Sequence, residues 1–158
     1  MAIATFYIIE PNSLQDTTTG HIDYVVYLAS HFASQGAKVY INAQDQSQAE
    51  AIDEAFWQKE PEQFQPHNLS GEGPQYGTSI EIGFSQVKPH RNRQLVINMA
   101  NDNTIFAQTF RQVVDFVPCE EKPKQQARER YKIYRQAGFE MQTINIKNVT
   151  RSSEKQST

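Results

Sequence analysis

Ala37-Lys38-Val39-Tyr40-Ile41-Asn42-Ala43 is an apolar, β-rich run that follows Gly36 and gives way to the polar Gln44-Asp45-Gln46. It reads as a strand. Before it, Ile22, Val25, Val26, Leu28, Ala29, Phe32 and Ala33 recur at helical spacing over residues 21–35, and Gly36 closes that helix. After it, Ala49, Ile52, Ala55 and Phe56 mark one side of a second helix over 46–57. An earlier run, Ile3-Ala4-Thr5-Phe6-Tyr7-Ile8-Ile9, is a strand stopped by Glu10-Pro11-Asn12-Ser13. Strand, helix, strand, helix in this order predicts an α/β chain with a parallel sheet and right-handed crossovers.

Further along, the periodicity fails over 58–78, where Gly, Pro, His and Asn take over. Residues 79–84 and 95–99 read as short strands separated by the polar, basic Val87-Lys88-Pro89-His90-Arg91-Asn92-Arg93. A short helix is predicted over 105–110, an apolar strand over 113–117 and an alternating last strand over 140–146, at a sheet edge. The stretch 148–158 is polar and without an apolar anchor, so a disordered tail is expected after a single domain spanning 1–147.

A chain of 158 residues with 38% hydrophobic and 21% charged content has the composition of one globular domain able to bury a core. Its net charge of −3 gives no bulk attraction to nucleic acid. The charges are segregated, however: residues 45–62 carry six acids and one Lys, whereas 121–136 carry six Lys or Arg and two Glu. Local fields should therefore choose the partners. The lone Cys119 excludes an internal disulfide and a multi-cysteine metal site, and a cytoplasmic location is the expectation. No basic leader or long apolar run points to export or membrane insertion.

The basic stretch is Glu121-Lys122-Pro123-Lys124-Gln125-Gln126-Ala127-Arg128-Glu129-Arg130-Tyr131-Lys132-Ile133-Tyr134-Arg135-Gln136-Ala137-Gly138. Pro123 suits a first helical turn and Gly138 a C-terminal stop. At about 100° per residue, Lys124, Arg128, Tyr131, Lys132 and Arg135 fall within a sector of roughly 100°. Ala127, Ile133, Tyr134 and Ala137 lie on the other side, to dock on a core, with Arg130 expected to snorkel from it. The bland reading of such a face is a solvated surface.

Candidate chemistry elsewhere is thin. His67-Asn68-Leu69-Ser70-Gly71-Glu72-Gly73-Pro74 is Gly-rich but has neither dinucleotide spacing nor a Lys-Ser/Thr pair, and Glu72 would repel phosphate. The first strand-to-helix loop holds one glycine, Gly20. Cys119 or Ser70 with His21, His31, His67 or His90 lacks any nucleophile signature, and no two His residues stand at i,i+3 or i,i+4 to hold a metal. No cofactor is expected. Phe56, Trp57, Phe64 and Pro66 place aromatic material at a helix end and in the following loop, either as a lid over the core or as an exposed patch for a protein partner.

Taken together, Asp53-Glu54-Ala55-Phe56-Trp57, Phe64-Gln65-Pro66-His67-Asn68-Leu69-Ser70-Gly71-Glu72-Gly73-Pro74, Val113-Val114-Asp115-Phe116-Val117-Pro118 and Gln126-Ala127-Arg128-Glu129-Arg130-Tyr131-Lys132 resemble the chi subunit of bacterial DNA polymerase III. The resemblance runs over roughly residues 3–147, with 85–93 variable. It implies a Rossmann-like, three-layer α/β fold with a mostly parallel central sheet and no nucleotide-binding loop. It implies a non-catalytic adaptor of the clamp-loader complex in DNA replication. The implied partners are the psi subunit and the acidic C-terminal tail of single-stranded DNA-binding protein, with DNA reached only indirectly. Carried over by residue, Lys124, Arg128, Tyr131 and Lys132 form the tail pocket, and Trp57, Phe64 and Pro66 contribute to the psi surface. The residue types suit those roles, since an acidic peptide with a free terminal carboxylate needs spaced cations and an apolar wall. Val117 would add to the wall and Arg135 would extend the cationic line.

Two readings of other classes compete. One is a metal- or nucleotide-dependent hydrolase of α/β fold using Glu72 and His67. The other is direct single-stranded DNA binding through Arg91, Arg93 and the basic helix, for which Tyr131 is the one interleaved aromatic.

Overall fold

The structure is a computed structural model that describes residues 2–58, 66–69, 78–84, 94–101 and 110–146. Among these, the strands are β1 (Ile3–Ile8), β2 (Val39–Ala43), β3 (His67–Leu69), β4 (Ile80–Phe84), β5 (Leu95–Asn98), β6 (Gln112–Val117) and β7 (Glu140–Asn145). The helices are α1 (Thr18–Ser34), α2 (Gln46–Trp57) and α3 (Glu121–Gln136), with a 3-10 turn at Leu14–Asp16. The strands form one sheet in the order β3-β4-β2-β5-β6-β1-β7. Every pairing is parallel, beyond the mostly parallel sheet expected.

Parallel sheets need cover on both faces, and alternate residues of one strand must therefore feed two cores. β2 shows this: all five of its residues are buried, with Val39, Ile41 and Ala43 turned to one cluster and Tyr40 to the other. The first cluster takes Val25, Leu28 and Ala29 from α1 and Ala49, Ile52 and Phe56 from α2. The second takes Ala4 and Phe6 from β1, Val96, Val113 and, from α3, Tyr134. Helices α1 and α2 thus cover one face and α3 the other, giving three layers.

The helix boundaries follow local chemistry. α2 begins at Gln46 because the Asp45 carboxylate accepts from the Gln48 N–H at 2.8 Å, an N-cap worth about 1 kcal/mol. α1 starts ahead of the position its apolar spacing indicates, since the Thr17 hydroxyl accepts from the Gly20 N–H at 3.0 Å. Gly20 has a packing reason: a Cβ there would collide with the Leu14 carbonyl of the 3-10 turn. β3 lies inside the stretch read as irregular. Three residues are too few to show a period, and β3 exists through its pairing of His67, Asn68 and Leu69 with Ile80, Glu81 and Ile82. β7 is an edge strand, as expected. The short helix expected over 105–110 falls largely outside the described residues, as do the Gly-rich loop 70–77, the basic loop 87–93 and the tail 148–158.

His21, on the first turn of α1, presses its ring edge-on against Phe116 at 4.6 Å, and burial pushes its imidazole down to about 4. The unfolded chain therefore takes up a proton near pH 6.5 that the folded chain refuses until about pH 4. Stability contributed by the neutral ring is intact above pH 6.5 and is lost as the pH falls towards 4, by up to about 3 kcal/mol. Urea unfolding of the protein and of His21→Phe at stepped pH checks this: the difference between their stabilities should shift in favour of Phe across that window. A pH-independent difference would show that the folded ring takes up its proton as readily as the unfolded one.

Candidate functional site

The basic helix stands on β6. Lys124 N–H makes the first helical bond to the Glu120 carbonyl at 2.9 Å, and Pro123 sits in the first turn, where its missing N–H costs nothing. At the other end Gly138, with φ at 98°, donates to the Arg135 carbonyl at 3.1 Å. Phe139 N–H then donates to the Tyr134 carbonyl at 3.1 Å, and the two rings meet at 5.8 Å. This is a complete Schellman stop with its hydrophobic contact, which Gly138 makes possible.

Arg128, Lys132 and Arg135 are exposed on α3, and Lys124 and Tyr131 are half-buried where the helix meets the sheet. The Tyr131 ring lies 5.3 Å from the Phe6 ring of β1. Val117, the last residue of β6, is half-buried against the same cluster as Tyr131. The four cations and Tyr131 share one side of α3, with 124, 128 and 132 at i,i+4 steps, and Tyr131 and Val117 pack against the same apolar cluster beneath it. Among the described residues none of the four cations has a carboxylate at ion-pairing distance, and Arg128 donates to Gln125 at 3.3 Å. Among the described residues, no carboxylate is paired with this positive charge.

The inward side of α3 differs from expectation. Its buried residues are Ala127, Arg130 and Tyr134, whereas Ala137 is exposed beyond the last turn. Arg130 does not snorkel: it is 2% exposed and grips Asp115, Nε to Oδ2 at 2.8 Å and Nη2 to Oδ1 at 2.9 Å. The sequence carries a signal for this pair, since an acid in the middle of the apolar run 113–117 requires a buried partner. Asp115 also accepts from Phe116 N–H, Asn98 Nδ2 and the Tyr134 hydroxyl. Asn42 Nδ2 donates to Asn98 Oδ1 at 2.9 Å. The carboxyl ends of β2, β5 and β6, where open α/β sheets commonly hold ligands, are thus bridged by the protein's own side chains.

The aromatic residues part company. Phe56 is fully buried, because it continues the inward line of Ala49 and Ile52 on α2, so it leaves the candidate patch. Trp57, about 100° round the helix from it, is 60% exposed and meets the His67 ring edge-on at 5.0 Å. Pro66, next to His67, is exposed, and Phe64 lies outside the described residues. His67 itself is buried, stacked on Phe56 at 4.8 Å with Nε2 3.4 Å from Asp53. That position makes it a packing residue at the foot of Trp57; its proposed catalytic companion Glu72 lies outside the described residues. The Cys119 thiol donates to the Ile9 carbonyl at 3.0 Å, and burial, with Asp16 beside it, pushes it up to about 11, away from nucleophilic use at neutral pH. Trp57 and Pro66 lie with α2 and β3 at one edge of the sheet, and the cationic line lies with α3 on the opposite face.

Comparison with known proteins bears on this arrangement. The family model described as DNA polymerase III chi subunit, HolC, matches residues 1–142, which include all of β1 to α3. The chain belongs to the DNA polymerase III chi-subunit family. Among chi relatives, DNA polymerase III subunit chi of Escherichia coli K12 is 40% identical over 147 residues, covering 93% of this chain and 100% of that protein. The Haemophilus influenzae chi subunit is 40% identical over 143 residues, 90% and 96% of the two chains. That of Pseudomonas aeruginosa is 28% identical over 122 residues, 77% and 84%. A solved structure of T4 UvsW matches with a TM-score of 0.60 at 13% identity over 92% of this chain and 42% of its own, a likeness of fold alone. As a chi-family chain, this protein is a replication subunit, and no helix among its described residues is long and apolar enough to cross a membrane.

Proposed function

We propose that this chi-family chain is an adaptor without catalytic activity of its own, joining the clamp-loader complex to DNA coated with single-stranded DNA-binding protein in the cytoplasm. Lys124, Arg128, Lys132 and Arg135 receive the acidic C-terminal tail of the latter, and Tyr131 and Val117 receive its last apolar side chain. Trp57, Phe64 and Pro66 contribute to the psi surface, through which the clamp loader is reached. DNA is touched indirectly. The observation that carries this reading is the cationic line, paired with no carboxylate among the described residues, together with the half-buried Tyr131 and Val117. Cations spaced along a helix suit carboxylates spaced along an extended peptide, and an apolar shelf beside them suits a terminal side chain. An exposed Trp at a different edge suits a drier, longer-lived contact.

A synthetic acidic tail peptide, titrated by fluorescence anisotropy beside the same peptide lacking its terminal residue, tests the assignment. The full peptide should bind with an affinity that falls steeply with salt, and the truncated one about tenfold or more weakly, since it loses the apolar anchor and displaces the carboxylate. Equal binding of the two would remove Tyr131 and Val117 from the site. No binding of either would remove the tail as partner.

A further inference from the structure

A guanidinium buried between a helix and a sheet is unfavourable unless its N–H groups find acceptors. Those of Arg130 find them on β6 and in the residues that follow β5. Besides the Asp115 carboxylate, Nη2 reaches the Phe116 carbonyl at 3.3 Å and Nη1 the Asn101 carbonyl at 2.8 Å. The Asp115 end is equally fixed, by Phe116 N–H at 2.8 Å, Asn98 Nδ2 at 3.1 Å and the Tyr134 hydroxyl at 3.1 Å. Tyr134 is one turn beyond Arg130 on the same helix, so α3 hangs on a single carboxylate of β6 at two successive turns. Apolar packing alone tolerates rolling and sliding of a helix; directional bonds at two turns do not. The residues two before and two after Arg130 are Arg128 and Lys132, each about 160° round the helix from it. Whatever fixes the inward direction of Arg130 fixes the outward direction of both.

We propose that Asp115, Arg130 and Tyr134 are positioning residues for the peptide site, setting the rotation and register of α3 so that Lys124, Arg128 and Lys132 align beside Tyr131 and Val117. The inference rests on the reading of α3 as the tail-binding helix. Arginine is required at 130 because the planar fork takes both carboxylate oxygens and still reaches two carbonyls, which an ammonium does not.

The test uses the full chain and a fluorescent acidic peptide with an apolar C-terminal residue, at several salt concentrations and well below the melting temperature of each variant. Arg130→Lys should weaken the peptide by about tenfold and Tyr134→Phe by about two- to threefold, because the supporting shell is loosened while every contacting cation remains. The slope of affinity against salt should stay at the wild-type value in both, and psi affinity should be unchanged. Arg128→Ala, which removes a contacting cation, should lower the slope. A merely structural role would leave peptide affinity unmoved at temperatures where the variant is folded. Wild-type peptide affinity in folded Arg130→Lys and Tyr134→Phe would overturn the proposal, and so would a salt slope lowered as far as in Arg128→Ala, which would mean that a contacting cation is lost rather than misplaced. Should Arg130→Lys not fold, Tyr134→Phe and Asp115→Asn carry the same comparison. Failure of the unaltered protein to bind the peptide would instead defeat the tail-site reading on which this one stands.

Discussion

Arg128→Glu is expected to abolish binding of the acidic tail peptide, weakening it by about a hundredfold or more, while psi binding keeps its wild-type affinity. Arg128 is the middle member of the line 124, 128, 132, so reversal removes a charge-assisted fork and sets an anion between the two remaining cations. Its guanidinium is held by no carboxylate among the described residues, so the reversal breaks no ion pair there. The fold should not register it, because Arg128 is exposed and its bond to Gln125 is a single 3.3 Å contact at the surface. The effect should shrink as salt rises, since these charges are solvent-facing. The converse substitution, Trp57→Ala, should weaken psi association about tenfold or more and spare the peptide, as truncated interface tryptophans commonly do. Isothermal titration of each variant with each partner reads all four outcomes. Retained peptide binding by Arg128→Glu would end the assignment of α3 as the site, and unchanged psi affinity would remove Trp57 from that surface.

Asp115→Ala is expected to lower the free energy of unfolding by about 3–5 kcal/mol, the largest stability effect foreseen for a single polar substitution in this protein. The loss is mainly that of parting Arg130 from Asp115: its cation stays between helix and sheet, beside the Asn101 and Phe116 carbonyls, without the carboxylate that balanced it. Asn98 and Tyr134 lose an acceptor in the same step. Arg130→Met should be similarly damaging, because it leaves the carboxylate buried. The double change Asp115→Leu with Arg130→Met should recover much of the difference, since an apolar pair removes both desolvation penalties. Urea unfolding of the three variants decides the matter. A loss of less than about 1 kcal/mol in Asp115→Ala would mean that Arg130 swings out to water when released. Recovered stability with weakened peptide binding in the double variant would separate the strength of the fold from the placement of α3.

The features legible in the sequence are those set by neighbours along the chain. α2 ends where expected, at Trp57, because Ala49, Ile52 and Phe56 keep helical spacing. The line Lys124, Arg128, Lys132 needed nothing beyond the pitch of a helix. Features set by distant partners were harder to see. β3 is a strand because β4 lies beside it, and the order of the sheet depends on pairings between segments far apart in sequence. Arg130 reads from the sequence as a snorkelling side chain because the carboxylate that holds it, Asp115, belongs to β6 and not to the helix. Phe56 and Trp57 show the middle case. Adjacent helical residues diverge by about 100°, so the pattern that buries one of them already turns the other outward.

The place of β1 in the sheet has a consequence for the order of events at the ribosome. Among the described strands β1 is made before all the others, yet its two neighbours are β6 and β7, so Ile3 pairs with Gln112 and with Glu140. At roughly 5–20 residues per second, the nascent chain carries Phe6, Tyr7 and Ile8 without strand partners for on the order of ten seconds. The strands from β2 to β5 can meet one another earlier, but the half of the sheet that supports α3 is assembled last, from segments far apart in sequence. A nascent chain halted before β6 therefore holds β1 without either of its sheet neighbours, so the support beneath the basic helix is completed only once β6 and β7 have been made.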